Sequence, residues 1–183
     1  MNLANLLERY RTSWPEEEHV VQEFFELLQK EPDAFGRGTK IGHVTGSAWV
    51  VDPSREFVLL THHRKLGIWV QLGGHADGES DILSVAKKEA EEESGIVGMM
   101  ELTPEIFDID IHRIPANSKE PEHAHYDVRF VLEAPYMEYS VSEESHDVAW
   151  IRISELSSVT SEHSMHRMAS KWTKLTNELA RTA

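Results

Sequence analysis

Residues 73 to 96 read GGHADGESDILSVAKKEAEEESGI, a glycine-rich bend running into a segment with helical periodicity. Asp81 or Ser80 stands where a helix needs its N-terminal cap, Ile82, Val85, Ala86 and Ala90 form a narrow apolar stripe, and Gly95 falls where helices commonly end. The spacing predicts a helix of about three to four turns, preceded by a short strand at Trp69 to Leu72. On that helix Glu89, Glu92 and Glu93 stand at i, i+3 and i+4 and therefore share a face. Three carboxylates so placed repel one another, and the cluster becomes favourable when a hard divalent cation sits among the oxygens. Mg²⁺ in particular takes a few carboxylates, several waters and the phosphate oxygens of a substrate. In an acidic chain, the alternative for EAEEE is a solvated helix face, and the residues alone leave both readings open.

The remaining pattern supplies a body for this helix. Leu3, Leu6, Leu7 and Tyr10, then Val20, Val21, Phe24, Phe25, Leu27 and Leu28, have helical spacing, with Trp14-Pro15 between them and Glu16 to Glu18 suited to a helix start. Pro32 to Gly38 reads as a connection. Gly46 to Val51 and Phe57 to Thr61 predict two strands joined by Asp52-Pro53-Ser54-Arg55, a tight turn, and so a hairpin. Further strands are expected at Ile106 to Ile114, Tyr126 to Leu132 and Val148 to Ile153. A closing helix is expected from Glu162 to Leu179. Strands and helices interleave with hairpins among them, which predicts an α/β chain with a mixed sheet between helical layers rather than a doubly wound parallel sheet. The expected division is a helical extension at 1–40 and one main domain at 41–183.

Composition narrows the functions open to such a fold. The chain of 183 residues is 40% hydrophobic, enough for a single core. Lys and Arg total 18 against 32 Asp and Glu, a formal charge of −14. The average field therefore repels nucleic acid, anionic membranes and free phosphates, and a polyanionic substrate needs metal ions to meet it. With no cysteine, disulfides, thiolate zinc sites and cysteine nucleophiles are excluded. The opening MNLANLLERYRTSWPEEE has no apolar core of signal-peptide length, and no stretch of about 18 apolar residues occurs, so a cytoplasmic, unanchored protein is expected.

The segment from Gly74 to Ile96 resembles the Nudix box. The family pattern is a glycine, five residues, Glu, seven residues, then Arg-Glu-aliphatic-x-Glu-Glu-x-Gly-aliphatic. It is met by Glu89, Glu92, Glu93, Gly95 and Ile96, with Ala90 in the aliphatic place. With each of five Gly or Glu positions matched by chance at roughly 7%, fewer than about 10⁻³ accidental hits are expected. The likeness extends from Gly42 to about Leu156, taking in Trp69 before the glycines and Trp150 ahead of Ser154-Glu155-Leu156. The family's first Glu falls at Ser80, between Glu79 and Asp81, and its Arg falls at Lys88, which keeps the charge and loses the planar fork. Leu72 stands where many members have Pro.

The resemblance implies a Nudix-like α/β/α sandwich, to which the N-terminal helical arm and the C-terminal helix read from the spacing are added. It implies a hydrolase that directs water onto a phosphorus of a nucleoside diphosphate linked to another group, with Mg²⁺, or Mn²⁺ in its place, as cofactor. The implied metal ligands are Glu89, Glu93, Glu92 and the carbonyl of Gly73. The implied catalytic groups are Glu92, Lys88 and a loop base at Glu144, with its neighbour Glu143 not separable from it. The partner expected is a small nucleotide-type molecule, with neither nucleic acid nor membrane. The helical arm is a candidate homodimer surface or a cover for the active site.

Other constellations carry two readings each. His62-His63-Arg64-Lys65 is the densest cationic patch, and Arg64 and Lys65 either receive substrate phosphates or lie on a solvated turn. His75, after the glycines, either touches substrate or caps the loop. His123, His125 and Asp127 alternate along a strand with metal-ligand spacing, and an exposed polar strand face is the plainer explanation. The five tryptophans fall mostly in apolar patterns, so core packing is expected, with base stacking open to an exposed ring. Two rival functions compete with hydrolysis. Isopentenyl-diphosphate isomerases of the first type are similar to Nudix proteins and use a cysteine in a Cys-Gly-His segment, where this chain has Gly73-Gly74-His75, so their usual chemistry is closed to it. A Nudix-like module that binds nucleotide without cutting it is the other, favoured by Ser80 and Lys88 and opposed by the intact glutamates. No proline of the kind that marks the ADP-ribose branch occurs around Asp110 to Arg113.

Overall fold

The structure is a computed structural model and describes residues 2–39, 41–63, 67–116, 121–140 and 145–182. Along the chain it forms α1 (Leu3–Ser13), a 3-10 turn (Pro15–Glu17), α2 (Glu18–Lys30), β1 (Gly42–Val51), β2 (Phe57–His63), β3 (Trp69–Val70) and β4 (Leu72–His75). There follow α3 (Ile82–Ser94), β5 (Met100–Glu101), β6 (Asp108–Ile114), β7 (His123–Glu133), β8 (Ser145–Arg152), a second 3-10 turn (Ile153–Ser158) and α4 (His163–Thr182). The strands make a mixed sheet with flanking helices, in the hydrogen-bonded order β3-β2-β1-β7-β5, with β4 on β1, β6 on β7 and β8 on β2. The expected α/β class is thereby met. Two compact units share this chain: 1–48, 73–89 and 103–130 in one, and 49–72, 90–102 and 131–183 in the other.

The first unit is built on a core to which both N-terminal helices contribute. Asn2 caps α1 by accepting from the Ala4 N–H at 2.8 Å, and Pro15 opens the turn that separates it from α2. Leu3, Leu6, Leu7 and Tyr10 of α1 and Val21, Phe24 and Leu27 of α2 are buried in one cluster with Val44, Ile82, Val85, Ala86, Ile109, Tyr126, Val128 and Phe130. Phe24 meets Tyr126 edge-on, centroids 5.2 Å apart, and Arg9 pairs with Glu105 at 2.7 Å. Each such apolar side chain stabilises by about 1.5–3 kcal/mol when fully buried. Side chains of both N-terminal helices thus contribute to this core. α3 lies close on β1 because residue 46 is glycine: a Cβ there would stand 2.9 Å from the Ile82 carbonyl oxygen and 3.1 Å from the Ala86 nitrogen.

In the second unit the expected hairpin forms, β1 and β2 pairing antiparallel with Val50 opposite Leu59 and Val51 opposite Val58. Asp52 organises its turn, accepting from the N–H groups of Ser54 at 2.9 Å and Phe57 at 2.8 Å. β8 lies antiparallel along the other edge of β2, from Phe57 opposite Arg152 to His63 opposite Ser145. Trp49, Val50, Leu59, Leu60 and Val148 are fully buried, as are Met165 and Met168 of α4, and the Trp172 ring donates to the Arg55 carbonyl. Gly95, at φ +70, ends α3 as expected. The single strand expected at Trp69 to Leu72 proves to be two, and the second runs on through Gly73 and Gly74. Glycine chemistry suggested a loop, but here glycine permits close backbone packing.

Candidate active site

α3 begins at Asp81, whose carbonyl accepts from Val85 N–H at 3.1 Å while its carboxylate accepts from the Ser84 hydroxyl at 3.1 Å. Glu79 accepts from the Asp81 N–H at 2.8 Å. The two carboxylates flanking Ser80 are therefore engaged in starting the helix. The bend ahead of them is held from outside: Arg37 forks onto Asp77, its Nε and Nη2 at 2.5 and 2.7 Å from the two carboxylate oxygens, and Gly78 N–H donates to the Phe35 carbonyl at 2.9 Å. Hydrogen bonding from Arg37 comes first among the causes that hold the Asp77 carboxyl below its ordinary range. Sequence reasoning missed this clamp, since Arg37 sits in a segment read only as a connection.

The glycine pair decides where the first glutamate of the helix face goes. A Cβ on Gly74 would stand 2.1 Å from Oε2 of Glu89 and 2.5 Å from its carboxylate carbon. The Glu89 carboxylate therefore occupies the space that any other residue would fill. Gly73 is constrained from the opposite side, where a Cβ would meet Ser47 Oγ at 2.1 Å. Glu89 retains 20% of its side-chain exposure, and Lys88, 63% exposed, approaches it at 3.3 Å. At that exposure the Lys88 contact is worth at most about 1 kcal/mol. One turn on, Glu93 is half-buried and Glu92 exposed. A carboxylate seated on glycine backbone, with two more on the same helical face, is a set of hard oxygen donors of the kind divalent cations take.

A family model for the NUDIX domain matches residues 42–173. The chain belongs to the Nudix family. Solved structures of the same fold include a NUDIX-family hydrolase from Clostridium perfringens, 23% identical over 73% of this chain and 97% of that one, with a TM-score of 0.54. The C. elegans Ap4A hydrolase is 15% identical over 74% and 98%, TM-score 0.52, and the MutT protein from Methanosarcina mazei Go1 is 15% identical over 75% and 96%, TM-score 0.55. No curated protein matches in sequence. As a Nudix enzyme the chain is a pyrophosphohydrolase acting on phosphorus-containing acid anhydrides. None of its described helices is long and apolar enough to cross a membrane.

Other expected Nudix site residues fall in several places. Arg64, Lys65, Glu143 and Glu144 lie outside the described residues. His75 points its ring toward other imidazoles, with centroids 5.1 Å from His43 and 5.0 Å from His125. His62 stacks on Trp69 at 5.1 Å. Trp49 and Trp172 are core residues, as expected, while the half-buried Trp150 donates to the Met137 carbonyl at 2.7 Å.

The strand face carrying His123, His125 and Asp127 departs from expectation. The plainer of the two expectations, an exposed polar face, is not met: His123 is 8% exposed, Asp127 1% and Arg129 2%. The reason lies in pairing across strands: Asp127 accepts from Thr45 at 2.9 Å, Ser47 at 2.7 Å and Arg129 Nε at 2.7 Å. Arg129 Nη1 also binds Asp108 at 2.9 Å, and Nη2 lies 3.4 Å from Asp110. Asp127 is thereby committed to this network, which separates it from the two histidines it was grouped with.

Proposed function

We propose that this Nudix enzyme is a Mg²⁺-dependent hydrolase that cleaves the diphosphate linkage of a nucleoside diphosphate joined to another group. The observation that carries the reading is the Glu89 carboxylate seated in the space over Gly74, with Glu92 and Glu93 following on the same face of α3. The metal would be held by Glu89 and Glu93, by Glu92 directly or through water, and by the carbonyl of Gly73. Bound there, it supplies charge neutralisation of the diphosphate, polarisation of phosphorus and acidification of a water. The chain's own work is to place these oxygens on a rigid helix, so that little reorganisation accompanies reaction. Glu92, Glu143 or Glu144 would take the proton of the attacking water, Lys88 would steady Glu89, and Arg64, Lys65 and His75 would receive the substrate's anionic end. A net charge of −14 makes such local cation supply necessary for an anionic substrate.

Release of phosphate or nucleotide should be followed over nucleoside triphosphates, nucleotide sugars, dinucleoside polyphosphates and dinucleotides, with Mg²⁺ and then Mn²⁺. Glu93→Gln and Glu92→Gln are expected to lower kcat by about a hundredfold or more, since outer-shell metal partners alone cost about 10–100-fold. Equal activity in both variants would overturn the metal assignment. Tight nucleotide binding by the natural protein with no turnover on any substrate would instead establish a binding module, the reading that Ser80 and Lys88 favour.

A further inference from the structure

Besides the α3 glutamates, five imidazoles gather in the first unit among the described residues. His43 on β1 and His123 and His125 on β7 each bring one ring nitrogen within 4.8 Å of the other two. Their ring centroids are 4.8 to 5.2 Å apart. His75 of β4 and His112 of β6 flank His125 at 5.0 and 5.4 Å. His43 is 2% exposed, so this is not a solvated patch of polar side chains.

Charge complementarity does not account for such a group. Protonated rings at these centroid separations would repel one another. Neutral imidazoles each carry one lone pair that needs a partner, and the buried Nε2 of His125 has none among the described residues. His123 is oriented from behind: its Nδ1 lies 2.9 Å from the Pro121 carbonyl, which can only accept, so Nδ1 carries the hydrogen and Nε2 is the free donor atom. A ring nitrogen held by a carbonyl is the usual outer support of a metal-binding histidine. The nearest carboxylate along β7, Asp127, is taken by Thr45, Ser47 and Arg129, which leaves three imidazoles as the ligand group among the described residues.

We propose that His43, His123 and His125 form a binding site for a borderline divalent transition-metal ion, typified by Zn²⁺, distinct in donor chemistry from the carboxylate set on α3. Imidazole suits Zn²⁺, Ni²⁺, Cu²⁺ and Fe²⁺, whereas Mg²⁺ and Ca²⁺ take oxygen. Nitrogens bonded to zinc at about 2.0–2.1 Å in a tetrahedron stand about 3.3 Å apart. The three nitrogens already lie within 4.8 Å of one another, and a bound ion would draw them toward that spacing. Three protein nitrogens leave a fourth position, to be filled by water or by His75.

The test uses the full chain carrying Glu89→Gln, Glu92→Gln and Glu93→Gln, stripped with a chelator, so that the carboxylate set on α3 is removed. Co²⁺ titration is expected to give one tightly held ion per chain with the visible absorption of nitrogen coordination, displaced by Zn²⁺, and Zn²⁺ is expected to raise the melting temperature. Adding His43→Asn or His125→Gln should weaken Zn²⁺ binding by about a hundredfold or more and abolish the thermal shift. Near-UV circular dichroism of the metal-free variants checks that they fold. If a variant does not fold, the Co²⁺ spectrum of the parent decides alone, since an oxygen-type spectrum overturns the proposal. Zn²⁺ binding unchanged by either histidine substitution, or no binding by the parent, also overturns it. Because the hydrolase reading is tested by turnover with Mg²⁺ in the natural protein, failure of one leaves the other standing.

Discussion

Two pairs of residues on the same face of β7 meet burial in opposite ways. Asp127 and Arg129 are buried as full charges, and every strong group near them is answered: three donors converge on Asp127, and three carboxylates surround the guanidinium. Burial pushes the Asp127 carboxyl up, but Arg129, His112 and the hydrogen bonds from Arg129 and Ser47 outweigh it and hold it below the ordinary range. Burial likewise pulls Arg129 down, and Asp127, Asp108 and Asp110 more than restore it. Two and four residues earlier, His125 and His123 face other histidines. Desolvated charge is tolerable where the chain supplies its opposite covalently. Imidazoles can instead shed the proton and keep a lone pair for an ion that comes from outside.

Substitutions can break that comparison, beginning with the guanidinium. Arg129→Met leaves Asp108 and Asp127 buried without their cation and is expected to cost about 3–5 kcal/mol, read from urea unfolding at pH 7. A cost below 1 kcal/mol would show that the network contributes little.

The histidine end should respond to pH where the Arg129 end does not. For metal-free protein, His125 titrates in the folded state at about 2, against about 6.5 when unfolded. Between these values the unfolded chain binds the extra proton. The stabilising contribution is therefore complete above pH 6.5 and falls with pH through that window, by at most about 1.4 kcal/mol per unit. The groups facing this ring are His43 of β1, His75 of β4, His112 of β6 and, along β7, His123 and Asp127. Asp127, depressed below its unfolded value of about 3.9, contributes above that pH and is lost only as pH falls through its lower folded value. Unfolding free energy measured from pH 7 to 4.5 should thus decline in the natural protein and stay flatter in His125→Gln. Parallel slopes would remove the distinction.

The smallest effect is expected from Thr45→Val, which takes away one of the three donors to Asp127 while Ser47 and Arg129 remain. About 1 kcal/mol is expected from denaturant midpoints. Ser47→Ala in the same background should cost more than it does alone, since each removal leaves fewer donors on a buried carboxylate.

Much of the fold could be read along the chain because it is written in local periods. The two N-terminal helices, the Asp52 hairpin, the capped start of α3 and its Gly95 end each depend on residues a few positions apart. The two-residue β5 has no such period, and β4 was obscured because Gly73 and Gly74 resemble a loop until Ser47 and Glu89 are seen against them. Tyr126 to Leu132 was recognisable as strand, yet alternation says only that Asp127 and Arg129 share a face. Their burial follows from Asp108 and Thr45, 21 and 82 residues away. Arg64, Lys65 and Glu144 remain proposals from sequence.

By itself the sequence determined most of the succession of helices and strands, the shared face of Glu89, Glu92 and Glu93, and the family, because all three are properties of spacing within continuous segments. The tertiary structure alone decided that Glu89 sits over Gly74, that Asp127 belongs to Arg129, and that His43 joins His123 and His125. Those outcomes turn on side chains far apart in the chain and brought together by strand pairing and packing, which no local period encodes.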